Sequence, residues 1–254
     1  MKVLVCIKRV PMTGGRIDLT PDEKAIETKH LGFTIGPHEE CAVEEAVRLI
    51  EANGGDSVVL TLGPADAIQQ LRDAMALGIA RAIHLESDGN EWDPEATAAA
   101  ILEAIRADEA ASGPFDLILF GNESADTGAY QTGIRVARAL GRPVVRGVKG
   151  LVVSGGTARA EQATKVGRDV YEIPLPAVVT VLEGLNLPRY PSVPGRLRAK
   201  SKPVETSQPA RPAARLETIR LVVPEGPSKQ AEVLGHGAEA APRVVEILQN
   251  VGVI

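Results

Sequence analysis

Two short runs in this 254-residue chain bring reactive side chains together: His38-Glu39-Glu40-Cys41 and Ser124-Ala125-Asp126. The first has the residue types of a metal site, but adjacent positions on a helix point different ways and the other three histidines stand alone. The second could pair a nucleophile with its orienter, yet no histidine neighbours it to act as base. A dinucleotide fingerprint, a P-loop, a GxSxG elbow, HExxH and CxxC are all missing. Phosphate binding suits the second run better than catalysis. In Gly121-Asn122-Glu123-Ser124-Ala125-Asp126-Thr127-Gly128 two glycines let a ligand approach the backbone, while Ser124, Thr127 and Thr132 offer hydroxyls. A helix start just beyond offers free N–H groups.

The elements that must hold these residues follow from periodicity. Apolar runs Lys2–Lys8, Ser57–Leu62, Arg81–Leu85 and Asp116–Gly121 have strand length, and Pro37–Ala52, Ala65–Leu77, Pro94–Ala107 and Gly128–Leu140 have helical spacing. Alternation of this kind predicts a doubly wound parallel sheet, in which ligands lie at the carboxyl ends of the strands. The Gly121–Gly128 loop, the helix start at Pro37 and the Leu62-Gly63-Pro64 turn all fall at such ends. Each turn taken singly is as consistent with an ordinary connection as with binding.

Composition agrees with that architecture and narrows function. With 44% hydrophobic and only 3% aromatic residues, the core is expected to consist of Val, Leu, Ile and Ala, the lining of a parallel sheet covered on both faces. A net charge of −5 and few aromatics argue against nucleic acid. The apolar start is too short for a signal peptide, and no run approaches the roughly 20 residues of a membrane span, so a cytoplasmic protein is expected. Cys6 and Cys41 fit no metal spacing and read as buried thiols.

After Leu140 the pattern changes. Val148–Val153 and Ala158–Ala163 flank Gly155-Gly156 as a hairpin, followed by extended Arg168–Ile173 and a buried strand Ala177–Val181. The fold class is therefore α/β: a doubly wound, mostly parallel, Rossmann-like sheet with an antiparallel excursion. Residues 1–200 form the expected nucleotide-binding domain. Residues 201–254, rich in Pro, Ala, Ser and Glu and ending in a helix near Ala238–Asn250, read as an arm for a partner subunit. Between them, five prolines fall within Pro174–Pro194, so Leu185–Pro194 is expected to be a stiff loop, with a basic run after it. A stiff loop loses little entropy on docking, and this one carries Arg189, Tyr190, Val193, Pro194, Leu197, Arg198 and Lys200.

Pro176–Thr180, Leu185-Asn186, Pro188–Ser192, Pro194 and Ala199-Lys200 stand in the register of a PAVVT, LNxPRYPS, P, AK pattern. With Val3–Pro11, Ala42–Leu49 and Ala74–Gly78, they give a chain that resembles the β subunit of electron transfer flavoprotein along nearly its whole length. The resemblance implies an adenine-nucleotide-hydrolase-like fold and a heterodimer with an α subunit that holds most of a flavin adenine dinucleotide (FAD). Electrons would come from acyl-CoA or other flavin dehydrogenases and pass to a membrane-bound quinone oxidoreductase. Side-chain catalysis is not implied.

Carried onto this chain, the resemblance implies a nucleotide site at Cys6, Gly36, Pro37, His38, Glu39, Leu62 and the stretch Gly121–Thr132, including Ala129, Tyr130 and Gln131. It buries AMP in most members and a second FAD in electron-bifurcating ones. Gln131-Thr132-Gly133 follows the pattern of AMP binders, whereas Ser124–Gly128 departs from the usual AIDDD sequence. Val193 stands where the family commonly has the leucine that plugs into the dehydrogenase. No aromatic lies near Met12-Thr13, where some members place one against the flavin. The rival reading is a stand-alone adenine-nucleotide protein acting through Ser124 and Asp126, against which stands the absence of a phosphate-gripping lysine in that loop.

Overall fold

The computed structural model describes residues 1–14, 17–223 and 232–254. Its main sheet is built from β1 (Lys2–Cys6), β4 (Asp56–Gly63), β5 (Arg81–Glu86), β6 (Leu117–Gly121), β7 (Val144–Ser154), β8 (Thr157–Thr164), β9 (Gly167–Pro174), β10 (Ala177–Val181) and β11 (Val204–Ser207). A separate pair joins β2 (Val10–Pro11) to β3 (Phe33–Thr34). Strand order in the main sheet is β11-β5-β4-β1-β6-β10-β7-β8-β9. All pairings up to β7 are parallel, and β8 and β9 continue antiparallel. The expected doubly wound sheet with an antiparallel excursion is what forms.

Alternation within β1 sorts the core into two layers. Val3 and Val5 face a cluster covered by α1 (Pro37–Asn53) and α2 (Ile68–Leu77), while Leu4 and Cys6 face one covered by α3 (Pro94–Ser112) and α4 (Thr132–Leu140). Because β1, β4, β6 and β10 are covered on both faces, their residues are apolar almost without interruption. Chain order reverses on either side of β1: the crossover through α1 leads to β4, and β6 lies on the other flank. The carboxyl ends of β1 and β6 therefore border the switch point.

Three differences from the sequence reading bear on the candidate site, the docking segment and the arm. Helix α4 starts at Thr132 rather than Gly128, because Gly128 and Tyr130 hold φ of 54° and 58°, outside the helical region. The segment expected to be wholly irregular ends in a helix, α5 (Val193–Ala199), since Pro194 sits in its first turn, where a missing N–H removes no helical bond. Val204–Ser207, inside the arm's linker-like composition, pairs in parallel with β5 as an edge strand. Beyond it, Arg211 donates to the Glu91 carbonyl and stacks over Trp92, so this part of the chain runs along its own domain. Residues 224–231 of the arm lie outside the described residues; α6 (Ala241–Val251) has no buried residue. Among the described residues no helix is long and apolar enough to cross a membrane.

Candidate functional site

A cavity of about 360 Å³ opens at the switch point, lined by Pro37 and His38 from the start of α1 and Glu123–Gly128 from the loop after β6. Neither α1 nor α4 has a side-chain cap, whereas α3 is capped by Asp93, which accepts from the N–H groups of Glu95 and Ala96. First-turn N–H groups left without such a partner are available to an anion. The cavity lies within the size range of small-molecule sites.

Glycine sets the floor. A Cβ on Gly36 would come within 2.6 Å of Glu39 Oε2, and one on Gly121 within 2.8 Å of Glu39 Cδ. Glu39 thus packs beneath both glycines, 4% exposed, and among the described residues neither its Oε2 nor the buried Nδ1 of His38 has a hydrogen-bond partner. Burial, reinforced by Asp126 and Glu40, pushes the Glu39 carboxyl up to about 7 against its own backbone N–H and Lys8. Two orphaned polar atoms behind a cavity mark where a ligand's donors could be satisfied.

A lysine does reach this loop from a distance. Lys8, just past β1, places Nζ 2.8 Å from Asp126 Oδ2 and 2.7 Å from Glu91 Oε1, with Thr127 Oγ1 at 3.4 Å. Burial opposes its charge, but Glu91 and Asp126 outweigh burial and hold the ammonium above its ordinary range. Asp126, disfavoured by burial, is held low by Lys8 and Ser124. Its Oδ1 also accepts from the Thr127 N–H at 2.7 Å, and the Ser124 and Thr127 hydroxyls are 2.9 Å apart. Asn122 is fixed from behind: Thr180 donates to its Oδ1 at 2.8 Å and accepts from the Gly147 N–H at 3.0 Å. Lys8→Met would leave Asp126 with a buried, uncompensated charge. The expected loss is about 1–3 kcal/mol in denaturant unfolding, because the pair is only partly desolvated.

Not every expected site residue lines the cavity. Cys6 is buried in β1, its thiol pushed up by burial, and Leu62 packs against the α3 side of the core. Ala129 and Tyr130 continue the loop outward, and the Gln131 amide oxygen accepts from Arg135. Sequence reasoning missed Lys8, which lies 118 positions before Asp126; only the β1–β6 pairing brings them together.

A second candidate surface lies on the α2 side. Tyr190, Val193 and Leu197 are 96%, 73% and 61% exposed, flanked by exposed Pro194, Arg196, Arg198 and Lys200. Ser192 caps α5 by accepting from the Gly195 N–H at 3.1 Å, and Gly195 and Ala199 face inward. Val193 and Leu197, four residues apart, share the outer face. Arg189 turns inward to Glu44 and Glu51.

An open sheet of this order, with a glycine-floored cavity at its switch point, is a doubly wound α/β domain. The electron transfer flavoprotein domain matches residues 24–212. Over 98% of its length the chain is 32% identical to the electron transfer flavoprotein subunit beta of Syntrophomonas wolfei, covering 96% of that protein. It is 33% identical to the subunit beta of Bacillus subtilis and to the mitochondrial one of Arabidopsis thaliana, with 98% of both chains covered in each case. The chain belongs to the electron transfer flavoprotein β-subunit family.

Proposed function

We propose that this chain is the nucleotide-bearing, partner-docking half of a heterodimeric electron carrier. Its α subunit would hold most of the FAD, which takes up and releases the electrons when bound. This chain buries AMP at the switch-point cavity, docks acyl-CoA or other flavin dehydrogenases through residues 184–202, and lets electrons pass on to a quinone oxidoreductase. The projection of Tyr190, Val193 and Leu197 into solvent within a basic border carries this reading. A lone chain gains nothing by exposing three large apolar groups on a fixed segment, whereas a partner can bury them.

In the nucleotide site the acidic wall formed by Glu123 and Asp126 suits hydroxyl and amine donors of a nucleoside. The uncapped starts of α1 and α4 suit its phosphate. Arg196, Arg198 and Lys200 would steer acidic partners, so added salt should slow association. The apolar positions of α6, Val244, Val245 and Val251, are exposed and fit an arm that packs on the α subunit.

Val193→Asp tests the docking assignment. In the assembled heterodimer it should raise the half-saturating concentration in electron transfer from a reduced dehydrogenase about 10- to 100-fold, since about 1–3 kcal/mol of apolar burial is lost. An unchanged value would remove the segment from recognition. Small molecules released on denaturation should be one FAD and one AMP per heterodimer; two FADs would replace AMP in this site.

A further inference from the structure

The exposed apolar residues of the docking segment need something to hold them out. Leu187 and Tyr190 are 83% and 96% exposed, and no burial of their own fixes the backbone between them. The contacts that fix it are polar and come from one stripe of α1. Asn186 donates from Nδ2 to the Cys41 carbonyl at 3.0 Å and to Glu45 Oε2 at 2.9 Å, and Arg48 reaches the Leu187 carbonyl at 3.5 Å. Arg189 is bound most heavily. Its Nε and Nη2 lie 2.9 and 3.0 Å from the Glu44 carboxylate, and its backbone N–H donates to Glu44 Oε2 at 3.2 Å. Nη1 and Nη2 also grip both oxygens of Glu51, at 2.6 and 2.9 Å.

We propose that Arg189 and Asn186 are positioning residues: clamped to the α1 carboxylates Glu44, Glu45 and Glu51, they preset the docking segment before any partner arrives. The inference rests on the docking reading above. Three observations carry it. The Glu44 side chain is 1% exposed, so its carboxylate is a fixed, desolvated anchor rather than a surface charge. The planar guanidinium engages both oxygens of two carboxylates at once, a fork geometry that the point charge of a lysine ammonium cannot reproduce. The clamp also ends one residue before Tyr190, so Tyr190 and Val193 project from a fixed point. A preset segment docks without the ordering cost that a loose one bears. Helix α1 then carries the cavity at its start and the docking segment along its flank.

The test uses the heterodimer and a substrate-reduced acyl-CoA dehydrogenase that the wild type accepts. Arg189→Lys is expected to raise the half-saturating dehydrogenase concentration about 10-fold while the limiting rate and nucleotide content stay unchanged. Glu51→Gln, at the exposed end of the clamp, should give a smaller rise of the same kind and guards against misfolding of the first variant. In a Val193→Asp background Arg189→Lys should add nothing, because it acts through the residues it positions. Hydrogen exchange in the unpartnered heterodimer should speed up over residues 187–197 and stay unchanged over 41–51. Faster exchange everywhere would mean a general structural role and overturn the proposal. If Val193→Asp raises the half-saturating concentration and neither clamp variant does, docking stands and the clamp proposal fails. If no variant affects saturation, both fail, with Val193→Asp identifying the docking reading as the cause.

Discussion

Glu39→Gln is expected to stabilise the full chain by up to about 3 kcal/mol above pH 7 and to have almost no effect near pH 4.5. The carboxyl is pushed up to about 7 in the folded chain from an ordinary value of 4.5, with burial as the main cause. Below 4.5 both folded and unfolded states hold the proton, and the contribution of this group to stability is complete. As pH rises from 4.5 to 7 the unfolded chain gives up the proton more readily than the folded one, and stability falls; above 7 the loss is full. A displacement of that size corresponds to at most about 3 kcal/mol, an upper bound because a buried carboxylate relaxes its surroundings. Glutamine keeps the shape without the charge. Denaturant unfolding of wild type and variant between pH 5.5 and 8 should give curves that diverge with rising pH. Parallel curves would mean that Glu39 is not the buried acid described. AMP that supplies a donor to Oε2 should flatten the wild-type curve and leave the variant's unchanged.

That Glu39 is buried could not be read from the sequence, although its place at the start of α1 could. In His38-Glu39-Glu40-Cys41 the acidic pair at a helix start looks solvated, and only the glycines at 36 and 121 allow Glu39 to turn under the loop. The strands were legible for a simple reason: Ala177–Val181 is a largely apolar, β-branched run opened by Pro176, and it forms β10 with those bounds. Periodicity also placed α1 and the switch-point loop. It failed where tertiary pairing decides the outcome. Val-Glu-Thr-Ser at 204–207 has no strand pattern of its own and becomes β11 only against β5. Lys8 reaches Asp126 only because β1 and β6 are neighbours. Proline content argues against any regular structure from Leu185 to Pro194, whereas Ser192 and Pro194 are the cap and first turn of α5. The clamp was hidden for a similar reason to Lys8: its halves, Glu44 and Arg189, lie 145 residues apart.

Gly195→Ala should damage docking as severely as Val193→Asp, though Gly195 faces away from any partner. Helix α5 sits on α2 through Gly195 and Ala199, both buried. A Cβ on Gly195 would overlap the Ala76 carbonyl oxygen, which is backbone and cannot swing aside, and would press on Ser192 Oγ at 3.1 Å. Alanine would otherwise favour a helix by up to about 1 kcal/mol over glycine. Here overpacking against backbone dominates, with a net destabilisation of about 1–3 kcal/mol. The structure can relieve the overlap only by lifting α5 off α2, which carries Val193 and Leu197 out of the positions set by Arg189. Thermal unfolding should therefore fall by several degrees, and half-saturation in electron transfer should rise at least about 10-fold. The two readouts separate the causes: lost stability with intact docking would mean that α5 repacks in place, and no change in either would mean that α5 does not seat on α2 through Gly195. Because the overlap is steric rather than electrostatic, the docking defect should persist at high salt, whereas the contribution of Arg196, Arg198 and Lys200 should fade there.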